Sequence, residues 1–295
     1  MDRSRFRLPF VLLAALAVLA GCTKEETVEP TPQDSGPRLI LKFKFDSTQV
    51  RLNNLGQPVA VPPGHGAQSP VFNRMSAHYV EFAPSATTLL GDGDVVYMAP
   101  ETSLGGDLAI DHDLCLEVAE GEAFVNVPLS DLSPGTYQWL RVSLSYQNYD
   151  IKLQAVGIPL EATLASFIGY NTYISSFLVK DSTVTVNDDK LQGFWAFEVH
   201  DIANPVETGQ ATGITVPNPL NATSPIPAGS CVVTGGFPVP LTVTGNETAD
   251  VVVEVSLSTN KSFEWTELDG DNVFEPINGE TVVDMGIRGM IPTVQ

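Results

Sequence analysis

Four histidines and three cysteines in 295 residues leave little material for the commonest catalytic and metal chemistries. The chain has no GxSxG elbow, no HExxH pair, no Walker loop and no GxGxxG turn, which removes the familiar hydrolase, metalloprotease and nucleotide-binding signatures. It has no CxxC, so thiol redox chemistry finds no support. Basic residues are scarce too: 15 Lys and Arg stand against 35 Asp and Glu, a formal charge of −20. Such a charge repels phosphate backbones and anionic lipid, excluding a nucleic-acid partner and an electrostatic membrane contact, while divalent cations suit it. Long apolar runs are also rare. Phe10 to Leu19 is one, but it is too short to cross a bilayer core of about 30 Å, and no later stretch could do so.

That run has a basic head, Arg3, Arg5 and Arg7, and reads as an export signal over residues 1–21. It stops at Leu19-Ala20-Gly21-Cys22, which resembles the lipobox of bacterial lipoproteins. The resemblance implies that the Cys22 thiol takes a diacylglycerol, is cleaved to the mature N-terminus and carries further acyl (palmitate-type) chains into the bilayer. Each buried methylene contributes roughly 0.8 kcal/mol, so several chains on one cysteine anchor a protein without a transmembrane helix. Thr23-Lys24-Glu25-Glu26 looks like the export signal that places Bacteroidota lipoproteins on the outer face of the outer membrane; a merely solvated tether would read the same way. Residues 22–37 form a Pro-, Thr- and acid-rich spacer with no apolar period, expected to be a flexible tether. Removing residues 1–21 takes away three Arg and one Asp, so −20 becomes −22 in the mature chain.

Residues 38–295 hold enough chain for one large or two modest cores. In "RLILKFKFD", Leu39, Leu41, Phe43 and Phe45 alternate with Ile40, Lys42 and Lys44, the period of a half-buried strand. The same period recurs in "QWLRVSLSY", "FWAFEVH", "DVVVEVSL" and "TVVDMG", while clusters such as "GDGD", "SPGTY", "NDDK" and "DGDN" supply turns. "EATLASF", 161–167, suits a short helix or a strand equally. The expected fold is all-β, an immunoglobulin-like or jelly-roll-like β-sandwich with long loops. The proline-rich stretch within 201–230 is expected to be a long surface loop, with a subdomain boundary as the alternative.

Candidate ligands follow from side-chain chemistry. Neutral imidazole suits copper and zinc. Strand alternation puts His78 on the face of Val80 and Phe82, pointing inward, where a simple hydrogen-bond partner would satisfy it. His112 lies between Asp111 and Asp113 in an extended reading, on a solvated edge or against a metal; His65 sits in "PPGHGAQ" and His200 ends a strand. Convergence of His78, His112 and His65 with Met75 would make a nitrogen and sulfur site suited to copper. The acidic stretch "WTELDGDNVFEPINGE" places Glu267, Asp269 and Asp271 at alternate positions with Glu275 beyond, resembling the start of a calcium loop. It departs from that pattern: Asn272 replaces the turn glycine and Asn278 the bidentate glutamate. A plain surface turn is the other reading, and a bound calcium would brace the loop. Cys115 and Cys231 form a disulfide in an oxidising envelope or remain two buried thiols. Tyr170, Tyr173, Tyr146 and Tyr149 offer rings on which a sugar could stack, or simply pack.

The series "LKFKF", "FNRMSAHYVEF", "LAIDHD" and "LSPGTYQWLRVSLSY" resembles the order of segments in the MbnP-like copper-binding lipoproteins, over residues 38–150. The resemblance implies a β-sandwich lipoprotein that binds copper and works beside a di-haem peroxidase. Ser143 and Ser145 stand where that family's strand carries glycines. Taken together, the sequence predicts a non-enzymatic, surface-displayed outer-membrane lipoprotein that binds a metal ion. A glycan-binding or adhesion module of a surface uptake system is the rival, and an unrecognised hydrolase the third reading.

Overall fold

The computed structural model describes residues 36–53, 55–200, 203–211, 224–227, 229–287 and 289–295. The leader, Cys22, nearly all of the tether and part of 201–230 lie outside the described residues. Among the described residues no helix is long and apolar enough to cross a membrane.

Strands dominate, arranged in four sheets. The largest runs β13-β12-β9-β8-β3-β4, where β13 is Val206–Gln210, β12 Phe194–Val199, β9 Ile158–Phe167, β8 Gly135–Ala155, β3 Val71–Ala83 and β4 Asp94–Met98. A seventh strand, β14 (Cys231–Val243), pairs with the first half of β8. A second sheet joins β18 (Met290–Val294), β15 (Val251–Ser258), β1 (Arg38–Asp46) and β7 (Ala123–Pro128), with β1 and β15 parallel. A third joins β11 (Thr183–Leu191), β10 (Asn171–Leu178), β6 (Ala109–Asp111) and β5 (Glu101–Thr102). The last and smallest is β17 (Val282–Met285), β16 (Phe263–Thr266) and β2 (His65–Gln68).

The sandwich-like packing follows from alternation. In β1, Leu39, Leu41 and Phe43 are fully buried, facing Met75, Val80, Phe82, Leu140, Val142 and Leu144 of the large sheet across the main core. β8, 21 residues long, changes partners along its length: β14 and β3 flank its first half, β3 and β9 its second. Its second half alternates buried Tyr149, Ile151 and Leu153 with the polar Asn148, Asp150 and Lys152. On β12, Phe194 and Ala196 join Phe167, Ile174 and Phe177 in a core beneath β10, whereas Trp195, Phe197 and Val199 turn toward Phe263, Trp265 and Phe274 of the smallest sheet. "EATLASF" is a strand, the last seven residues of β9. The stretch read as a loop within 201–230 in fact contains β13, which pairs with β12 from Phe194↔Gln210 to Glu198↔Val206.

One buried ion pair secures the sheet's cover. Glu81 on β3 and Arg141 on β8 are both fully buried and 3.6 Å apart. Glu81 Oε1 accepts the amides of Gly91 (3.1 Å) and Gly93 (2.6 Å), and Arg141 Nη2 donates to the Thr88 carbonyl at 2.5 Å. The pair thus fastens the 84–93 loop over a strand face that would otherwise expose two charges to an apolar setting.

Candidate binding cleft

The histidines have separate partners. His78 is fully buried on β3, with Nε2 3.1 Å from Glu101 Oε1 and its ring 5.4 Å from Tyr170, whose hydroxyl donates to the same carboxylate oxygen at 3.0 Å. Burial holds its pKa below the usual imidazole value, against the opposing charge of Glu101. His112 is not extended on a solvated edge: it opens a 3-10 turn, His112–Leu114, and is buried between Tyr146 and Phe167, at 5.0 and 4.8 Å between ring centres. Burial pushes it down to about 4. His65 Nδ1 lies 2.5 Å from Glu264 Oε1, and the other Glu264 oxygen accepts from Arg51. Met75 is fully buried in the main core. Among the described residues the only group of three or more His, Cys, Asp or Glu with mutually close ligand atoms is Glu267, Asp269 and Glu280, so the expected gathering of His65, His78 and His112 does not occur. These residues are not brought together as a copper centre.

Cys115 and Cys231 are free and do not form the disulfide, with Cys231 buried and Cys115 half-buried. Burial pushes both thiols up to about 12.

Of the calcium set, Glu267 and Asp269 come together, but with Glu280 in place of Asp271 and Glu275; the three offer oxygens within 4.8 Å of one another. The loop is braced by its own backbone. Glu267 accepts the amides of Gly270 (3.1 Å) and Asn272 (3.0 Å), Asp271 accepts that of Val273 (2.8 Å), and Glu275 accepts from Gln154 and Asn278. Asn272 itself makes the sharp turn at φ 59°, a left-handed conformation that asparagine tolerates. Burial and the neighbouring Glu267 raise the Glu280 carboxyl, whose oxygens accept the amides of Glu275 and Leu268.

The tyrosines expected to stack on sugars divide: Tyr146 and Tyr149 are buried and unavailable, while Tyr170 and Tyr173 are half-buried. A different set of aromatics forms a site. Where the smallest sheet packs on β9 and β12, a cleft of about 780 Å³ opens, walled by Trp195, Phe197, Phe263, Phe274, Leu164 and Met285. Its polar edge is Gln210, Glu280, Thr281 and Asp284. Few but placed polar groups on an apolar wall are the usual composition of a small-molecule site, and the volume lies in the usual range.

Local sequence explains how the walls are built. Odd positions of β12 face the cleft because even positions are used by the core beneath β10. Trp195 lies across Gly209, its partner on β13; a Cβ on that glycine would come within 2.3 Å of the indole. Trp265 lies across Gly66 of β2 in the same way, at 2.4 Å. Each glycine gives a large flat ring a place to lie along the sheet. Phe263, Trp265 and Phe274 then form one aromatic cluster, with ring centres 5.2 to 6.0 Å apart.

None of these walls was singled out from the sequence as functional. The available cue was glycine inside a strand, Gly209 in "VETGQ" and Gly66 in "HGAQ", which marks close approach of another group. Comparison with family models, with curated proteins and with solved structures returns no match.

Proposed function

We propose that this chain is a non-enzymatic, lipid-anchored protein of the outer-membrane surface that binds carbohydrate in the aromatic cleft between β12 and the smallest sheet. The observation that carries the reading is the cleft itself: about 780 Å³, with the half-buried rings of Trp195 and Phe197 offered over a floor of buried Phe263 and Phe274, and Thr281 and Asp284 at its polar edge. Aromatic faces suit the C–H faces of sugar rings, and carboxylates and hydroxyls accept sugar O–H groups. The formal charge of −20 favours neutral or cationic saccharides over sulfated or uronic ones. Display at the surface is supported by the Leu19-Ala20-Gly21-Cys22 stop and the acids behind it.

The test is tryptophan fluorescence of the full chain titrated with a panel of neutral and acidic polysaccharides. The expected result is quenching by at least one neutral member, with affinity in Trp195→Ala reduced on the order of tenfold, equivalent to about 1.4 kcal/mol. A flat response across the panel, or unchanged affinity in Trp195→Ala, would overturn the proposal.

A further inference from the structure

A second cleft of about 710 Å³ shares Phe274 with the first. It sits between β2–β16 and the β8–β9 hairpin, and Lys152, Leu160, Glu161, His200 and Trp265 line it. The same elements serve both spaces. β12 contributes Trp195 and Phe197 to the first cleft, and His200, just past its end, to the second. β9 runs antiparallel beside it, Leu164 opposite Phe197, giving Leu164 to the first and Leu160 and Glu161 to the second. The two strands stay joined to the end, since the His200 amide donates to the Glu161 carbonyl at 2.8 Å. On the facing side β16 presents Phe263 to one cleft and Trp265 to the other. From Trp195 to His200 the chain advances five residues, about 16 Å at strand rise.

We propose that the two clefts are one elongated groove for a linear oligosaccharide, its chain running along β9 and β12 with Phe274 at the midpoint. This rests on the carbohydrate reading of the first cleft and adds the class of ligand: a polymer segment and not a free mono- or disaccharide. A single sugar ring uses one cleft and leaves the other empty, whereas a chain spans both across Phe274. The two halves differ in chemistry. The first is mostly apolar with an acidic edge; the second carries Lys152, a donor, Glu161, an acceptor, and the imidazole of His200. The groove therefore has a direction, and a chain binds in one orientation.

The experiment is calorimetric titration of the full chain with neutral β-1,4- and α-1,4-linked glucan and β-1,4-mannan oligomers, from disaccharide to hexasaccharide. The variants are Lys152→Ala/Glu161→Ala, at two exposed positions, and Leu160→Trp, which fills the second cleft. For the oligomer type that binds, the hexasaccharide is expected to bind on the order of tenfold more tightly than the disaccharide. Both variants should bring it down to disaccharide affinity and leave the disaccharide unchanged. Equal affinity for short and long oligomers, or a length advantage that survives in both variants, would overturn the groove while leaving the first cleft as a carbohydrate site. Absence of binding by every oligomer and by the polysaccharide panel would remove the carbohydrate reading itself, and the groove with it.

Discussion

Acidification should destabilise this domain through His112, and the size of the effect can be worked from its surroundings. The ring is 7% exposed, lies between Tyr146 and Phe167, and has Glu117 Oε1 at 3.5 Å from Nε2, too far for a strong hydrogen bond. Burial lowers its pKa from 6.5 to about 4, against a small opposing pull from Asp113. The unfolded chain therefore takes up the proton first as pH falls. The contribution of neutral His112 is fully present above about pH 6.5 and is lost progressively down to about pH 4, where the folded form also protonates. At about 1.4 kcal/mol per pH unit this window is worth about 3 kcal/mol. For a domain of this size that is roughly 6–12 °C in Tm. The measurement is thermal unfolding of the full chain and of His112→Phe, followed by circular dichroism at pH values across the window. The many carboxylates titrate in both proteins and cancel in the difference. Relative to the variant, wild type should lose the stated Tm on going from pH 7 to pH 4. A difference that stays constant with pH would refute the reasoning.

Other consequences are equally direct. Arg141→Met should destabilise the domain by about 3–5 kcal/mol, because it strands Glu81 as a buried, unpaired charge; adding Glu81→Gln should recover part of the loss, and equal stability of all three proteins in urea would contradict the role of the pair. Gly209→Val should displace the Trp195 indole, shifting its fluorescence and weakening saccharide binding as strongly as Trp195→Ala; unchanged emission and affinity would show that the ring does not depend on that glycine. Copper(II) added to the full chain should show no stoichiometric site that both His78→Ala and His112→Ala abolish, and loss in both variants would restore a shared metal centre.

How much of this could be read in advance depended on whether the cause was local. β1, β12 and β15 are legible because their alternation is set within a few residues, and the two-residue period of "RLILKFKFD" matches the burial of Leu39, Leu41 and Phe43. "EATLASF" was ambiguous because β9 is covered on both faces, Leu164 by the smallest sheet and Phe167 by β10, so it lacks a polar face to show its period. β13 was hidden by the prolines around it; pairing with β12 holds it, and that pairing is not encoded in its own five residues. His78 points inward onto a hydrogen-bond partner as its alternation indicated, whereas His112 misled for a similar reason. Sequence spacing places His78 and His112 on named strands, but register shifts in β3 around Ala77 and the 3-10 turn at His112 decide what each ring meets. The cleft was the least legible part. Its walls come from residues 164, 195, 197, 263 and, from 274 to 285, the segment around β17, brought together only when the smallest sheet closes over β9 and β12.

The central claim, that ligand is held between β12 and the smallest sheet, is tested most directly by hydrogen–deuterium exchange of the full chain with and without the tightest-binding saccharide of the panel. The expected footprint is slowed exchange in β12, in β16 and across residues 274–285, with the Tyr170–Tyr173 segment and the surroundings of His78 unchanged. Protection confined to Tyr170–Tyr173 or to the His78 region, with none along β12, would contradict it.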